Sequence, residues 1–275
     1  MYNVVGLSRS GNHAIINWIL SQLRGSWCFF NCVEAKADPI KTARPMDDGQ
    51  RVRTNIERFD LDAGHARTAA TAEHIVLSQE DAFLGPAFGA ETMNCHRHAF
   101  GTPERLYEIL ILRDPFNLMA SRRRLSSPRI SERTAMRIWR QHAAAFEQCV
   151  DADTGRVAVN YNRWVSSRRY RMEVAAMLKL EFCDATAQSV APCAGGSSFD
   201  GIAFDGRANA MKVFDRWRSY ADDPSFWRLF DARTERLCRS LFDFSSPKSE
   251  KAGPQGDVAY REYADGASSL ADAAP

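Results

Sequence analysis

The stretch from Tyr2 to Leu23 limits the possible folds more than any other part of this chain. Tyr2, Val4, Val5 and Leu7 make a short apolar, β-leaning run. A polar loop follows, Ser8-Arg9-Ser10-Gly11-Asn12-His13. From Ala14 the apolar residues return at helical spacing: Ile15, Ile16, Trp18, Ile19, Leu20 and Leu23. This pattern predicts a buried strand, a tight loop and a buried helix. Such a loop leaves backbone N–H groups at a helix N-terminus, where they and the helix dipole attract an anion. Arg9 brings a guanidinium suited to bidentate phosphate binding. Ser10 and Asn12 add donors, and Gly11 lets the backbone approach closely. Arg9 to Ala14 are therefore the first candidate phosphate-binding positions. Gly6 and Gly11 keep the G-x-x-x-x-G spacing of a Walker A loop. Asn12-His13 stands where Lys-Ser/Thr would be, which disfavours an ordinary Mg²⁺-dependent NTPase.

The remaining chain alternates strands with helices. Trp27–Val33 reads as a second strand, His74–Ser78 as a third, ending in Gln79-Glu80-Asp81. Residues 34–70 turn polar and read as a long loop. So does Phe83–Gly101, which carries His96 and His98. Leu106–Leu112 reads as a buried parallel-type strand running into Arg113-Asp114-Pro115. Helices are expected over 116–124, 131–150, 165–180, 207–220 and 225–242, with a further strand over 156–161. This order predicts an α/β fold of three layers, α/β/α, with a central parallel sheet of the P-loop type. Ligands in such sheets bind beyond the C-terminal strand ends, where Gly6–His13, Ser78–Asp81, Arg113 and Tyr161 fall.

At 275 residues the chain is long enough for one large domain, expected over 1–244, with a tail over 245–275 too polar to bury and expected to be disordered. The net charge of +2 gives no general attraction to nucleic acid or a membrane. No apolar run is long enough to span a bilayer. Met1 runs straight into the first strand, so no signal peptide is expected. The seven cysteines are odd in number and scattered; only Cys28 and Cys32 are close, without zinc-site partners. Reduced thiols in the cytoplasm are the simpler expectation.

Four separated pieces can be assembled into one nucleotide site: the Arg9–His13 loop; Arg113 with Ser121, eight positions on; Tyr161 at a strand end; and the polar-aromatic triplet Ser197-Ser198-Phe199. Together they resemble the PAPS-dependent sulfotransferases (PAPS is 3′-phosphoadenosine 5′-phosphosulfate), over roughly residues 3–230 and in the same order. In that family a P-K-S-G-T-T-like loop binds the 5′-phosphosulfate, and Ser8–His13 matches it with Arg9 at the lysine. An R-[ND]-P arginine and a serine eight residues later hold the 3′-phosphate, as Arg113-Asp114-Pro115 and Ser121 would. The family's Y-E-D strand end corresponds to Tyr161-Asn162-Arg163, and its T-S-F adenine contact to Ser197-Ser198-Phe199.

The resemblance implies in-line transfer of a sulfuryl group from PAPS, without a metal, to a hydroxyl on a carbohydrate, glycolipid or small metabolite. The family's usual base is a histidine on the third strand, where this chain has Leu77-Ser78-Gln79. Glu80 is the first replacement and His13 the second. His96 and His98 follow, with surface-loop histidines as their plainer role. The late R-K-G-x-x-G-x-W segment survives only as Phe214-Asp215-Arg216-Trp217. Arg207 or Arg216 either replaces its phosphate contact or is solvated surface charge. Arg122-Arg123-Arg124 reads as a solvated helix end. The competing functions are a P-loop kinase with a degenerate Walker A, and a non-catalytic nucleotide-binding module, for which Gln79 at the histidine position argues.

Overall fold

A computed structural model of the chain describes residues 1–46, 48–57, 72–151, 156–192 and 196–243, with backbone only at 150 and 151. It is an α/β fold built on a six-stranded sheet in the order β3-β2-β4-β1-β5-β6. The strands are β1 (Tyr2–Gly6), β2 (Trp27–Phe30), β3 (Val52–Thr54), β4 (His74–Glu80), β5 (Tyr107–Leu112) and β6 (Arg156–Asn160). All pairings are parallel except β2 with β3. The central sheet is parallel as expected, and the antiparallel β3 adds to one edge of it from the segment expected to be a loop. Val52 is the buried residue that draws it there, joining Cys28, Phe30 and Leu77.

β1 is central and buried along its whole length, with β4 and β5 on either side. Its alternate residues feed different layers, as strand geometry requires. Tyr2 and Val4 pack with Ile15, Trp18 and Ile19 of α1 (Asn12–Leu20). Val5 and Leu7 pack with the other layer. That layer holds Phe116 and Met119 of α3 (Pro115–Arg122), Trp139 of α4 (Glu132–Asp151), and Leu237 of α7 (Ala232–Phe242).

The 83–101 region is not a loop. It forms α2 (Ala90–Phe100), and His96 lies wholly inside the protein while His98 is exposed. The single helix expected over 165–180 is two: α5 (Tyr161–Ser166) and α6 (Arg168–Met177). They divide at Ser167, whose extended backbone and side-chain cap on Tyr170 start a new helix. The helix expected over 207–220 is reduced to short 3₁₀ turns at Ala208–Ala210 and Arg216–Tyr220. Between them the Val213 carbonyl accepts from Arg113 Nη2 at 2.7 Å and so leaves the helical pattern. Likewise 225–242 splits into a turn, Pro224–Trp227, and α7, capped by Asp231. Residues 58–71 of the long loop, Cys193 and the 245–275 tail lie outside the described residues. None of the six described cysteines is in a disulfide. Among the described residues no helix is long and apolar enough to cross a membrane.

Candidate functional site

Parallel strands end together, and the register sets which residues meet there. Gly6 lies beside Glu80, and Leu112 beside Asn160. The Ser8–Gly11 loop, Glu80, Arg113 and Tyr161 therefore gather at the C-terminal ends of the strands. All of these except Ser10 line a cavity of about 310 Å³.

The loop is held in shape by its own residues. Arg9 and Gly11 both take positive φ, at 74° and 87°. A Cβ at Gly11 would run into the Tyr161 ring, and one at Gly6 into the Asn12 amide, so both loop glycines are fixed by space. Asn12 turns inward, donating through Nδ2 to Leu7 O (3.0 Å) and Glu80 Oε1 (2.8 Å). The first helical bond of α1 runs from Ile15 N to Gly11 O. The amides of Asn12, His13 and Ala14 precede it, and these three residues line the cavity. Ser10 Oγ is buried without a partner among the described residues.

A second element fixes the loop from outside. Asp81 accepts from Ser8 N and Ser8 Oγ, and Arg122 grips both Asp81 oxygens, at 2.6 and 3.3 Å. Both side chains are 3% exposed. Arg122 is thus no solvated helix end. Arg123 is half-buried between Glu132 and Asp223, and Arg124 lies 4.5 Å from the Phe199 ring centre.

Arg113 owes its position to the residues after it. Asp114 caps α3 by accepting from Asn117 N, Pro115 occupies the first helical turn, and Asn162 Nδ2 bonds the other Asp114 oxygen. Arg113 then reaches Arg9 O at 3.1 Å and Ser121 Oγ at 3.3 Å, with its guanidinium 5.0 Å from the Tyr161 ring centre. Arg216 meets the same Ser121 hydroxyl at 3.0 Å and Ser197 Oγ at 2.7 Å. It is 8% exposed, which overturns the surface-charge alternative; Arg207 is the exposed one. Burial, then the neighbouring Arg113, push the Arg216 guanidinium down to about 10, with Arg9 adding to the effect. Burial also lowers Arg9, against the pull of Glu80. The nearest carboxylate to Arg216 is Asp200, at 3.6 Å. Arg113 and Arg216 thus stand side by side at the cavity with Arg9 adjoining them.

Strand alternation places Glu80 and Gln79 on opposite faces. Glu80 lines the cavity. Gln79 is buried on the other face, donating to Asn3 Oδ1 and Ala87 O. His13 is held by Asn31 Oδ1 at 2.9 Å, and that oxygen also accepts from Ser78 Oγ. His13 therefore donates from Nε2, leaving Nδ1 as its basic nitrogen.

Of the expected site residues, Arg9, Gly11, Asn12, His13, Ala14, Glu80, Arg113, Tyr161 and Ser197 line the cavity, while Ser10, Ser121 and Phe199 do not. Ser121 is connected through the two arginines. The Phe199 ring lies beside Arg124 and Arg216 and packs on the core. His96 and His98 are not among the lining residues. Sequence reasoning missed Asp81 with Arg122, and also Asn31. The signals were a carboxylate directly after a strand end and a lone amide inside the apolar run Trp27–Val33.

No protein-family model matches the chain, and no curated protein matches it. Among solved structures it is similar to the sulfotransferase domain of the Synechococcus PCC 7002 olefin synthase, at 17% identity and a TM-score of 0.36, over 63% of this chain. The chain spans 60% of that domain's length.

Proposed function

We propose that the chain is a sulfotransferase, a single domain over residues 1–244 that moves a sulfuryl group from PAPS to a hydroxyl acceptor. One observation carries this reading: Arg9, Arg113 and Arg216, distant in sequence, meet at one cavity with Ser121 between two of them. Two buried guanidinium groups set side by side, Arg113 and Arg216, call for a multiply charged anion. The residues present fit the nucleotide. Ser10 Oγ, Ser198 Oγ and Arg216 Nε are buried without partners among the described residues, and so have donors to offer. Arg113, Arg216 and Ser121 would hold the 3′-phosphate. Arg9 and the amides of residues 11–14 would hold the 5′-phosphosulfate. Ser197 and Ser198 would bond the adenine.

Bound PAPS supplies an activated sulfuryl group to the acceptor oxygen. The chain contributes position and charge. Glu80 takes the acceptor proton, with Asn12 Nδ2 fixing one of its oxygens. His13, with Nδ1 free to accept, is the second base. Arg9 stabilises negative charge that grows on the leaving side. No residue here requires a metal for these roles. The Asn12 side chain points at Glu80 and the Leu7 carbonyl, which supports this reading over a kinase built on a Walker lysine.

Two measurements test it. Calorimetry without metal should show tight binding of adenosine 3′,5′-bisphosphate. With labelled PAPS and an acceptor panel, Glu80→Gln should lower kcat by roughly 10²–10⁴-fold while bisphosphate affinity stays within a factor of about three. Absence of bisphosphate binding removes the function; full activity in Glu80→Gln moves the base to His13.

A further inference from the structure

We infer that the acceptor carries an anionic group, a carboxylate or a sulfate ester, received by Arg44 and Arg129 at the Glu80 end of the cavity. This rests on the sulfuryl-transfer reading and names the class of its second substrate.

Five arginines line the cavity, and Glu80 is the one carboxylate among its described lining residues. Arg113 and Arg9 both act on Arg216, and the proposed function assigns all three to the nucleotide. Arg44 and Arg129 belong to a different neighbourhood. Both favour the charged form of Cys32, whose thiol is nonetheless pushed up by burial and by its hydrogen-bonded neighbour Glu80. Cys32 also lines the cavity, so these two arginines stand around the carboxylate that takes the acceptor proton.

The backbone fixes Arg44 there independently. Arg44 N donates to Asn31 O at 2.8 Å, and the Asn31 side chain holds His13. Arg129 comes from a separate stretch of chain, the connection between α3 and α4. Arg129 has no hydrogen-bond or ion-pair partner among the described residues. Among the described residues the Arg44 side chain pairs with Glu34 alone, at 3.9 Å with both side chains exposed, a pairing of little strength. Two weakly engaged guanidinium groups flanking a proton acceptor suit an acceptor whose hydroxyl meets Glu80 while its own charge meets them.

The test uses the full chain saturated with adenosine 3′,5′-bisphosphate and titrates two matched pairs: glucuronate against glucose, and 4-hydroxybenzoate against 4-hydroxybenzyl alcohol. Glucose 6-sulfate serves as the third sugar, separating carboxylate from sulfate ester. The anionic member of at least one pair should bind more tightly than its neutral partner. Arg44→Ala/Arg129→Ala should weaken it by about tenfold, or about 1.4 kcal/mol, with the neutral partner unchanged. Both side chains reach solvent, so the variant should fold, and an unchanged thermal midpoint checks this. No anionic preference in either pair, or a preference that survives the double variant, overturns the inference while bisphosphate binding keeps the function. A double variant that weakens bisphosphate instead assigns these arginines to the nucleotide and also overturns it. If wild-type protein fails to bind bisphosphate, the function itself falls.

Discussion

Arg113 and Arg122 stand at the two ends of α3, and both are almost completely buried, at 2% and 4% exposure. Their surroundings differ in one respect. Arg122 faces Asp81, which it contacts through both nitrogens, and together they hold Ser8. Arg113 faces carbonyls, a hydroxyl and an aromatic ring, with Arg216 as its charged neighbour. A buried charge whose counter-charge lies within the protein is complete and serves the fold. A buried charge left beside another of the same sign is complete only with a ligand. The helix thus carries a structural arginine at one end and, in the proposed function, a ligand-binding arginine at the other.

Breaking the compensated pair should have the largest effect. Asp81→Ala or Arg122→Met leaves one buried charge unpaired and should cost about 3–5 kcal/mol in urea unfolding. Asp81→Leu/Arg122→Met removes both charges and should recover a sizeable part of that loss. A single variant that loses under about 1 kcal/mol would show that the pair does not hold the loop.

The uncompensated end should respond in binding before stability. Arg113→Gln should weaken adenosine 3′,5′-bisphosphate by about 100-fold and Arg216→Gln by about tenfold, measured by calorimetry. Ligand-free stability should move much less than in Arg122→Met. For Arg216 the sign follows from its guanidinium lying at about 10, below the ordinary arginine value. The folded state releases that proton first, so stability contributed by this group rises as pH climbs past about 10 and is lowest when it is fully charged. If Arg113→Gln unfolded the protein as readily as Arg122→Met and left bisphosphate affinity intact, the contrast between the two ends would disappear.

The same contrast explains what the chain disclosed in advance. β1, α1, β5 and α4 were legible because each buries an apolar pattern of the right period: Val4 and Val5, Ile15 to Ile19, Ile109 to Leu112, Met136 to Phe146. Arg113 and Ser121 were legible as a spacing. Residues 207–220 were misread because their helical pattern yields to a tertiary demand: the Val213 carbonyl serves Arg113 and Arg216 turns inward. β3 was missed because three residues at a sheet edge leave almost no period to detect. Arg122 read as surface charge, and Arg216 stayed open between surface charge and a phosphate contact, because an arginine's sequence neighbours do not show its partner, which here is Asp81 or Ser197.

The smallest expected effect lies just beyond the compensated pair. His142 on α4 donates from Nε2 to Ala82 O at 2.9 Å, directly after Asp81, and its Nδ1 is buried without a partner among the described residues. Burial lowers its pKa to about 4, and lowers that of His96 to about 4 as well. The unfolded chain protonates both near 6.5 while the folded chain resists until about 4, so stability is complete above pH 6.5 and is lost as pH falls from there toward 4. Each histidine should contribute a slope of up to about 1.4 kcal/mol per pH unit in that window. His142→Gln keeps a donor for Ala82 O and removes the titration, so urea midpoints followed against pH should show the acid limb flattened by about one proton. Because burial opposes charging of His142, and its Nε2 holds the carbonyl that follows Asp81, acid should loosen the Ser8 loop through this residue. An acid limb identical in His142→Gln and wild type would show that the Asp81–Arg122 end does not feel His142 at all.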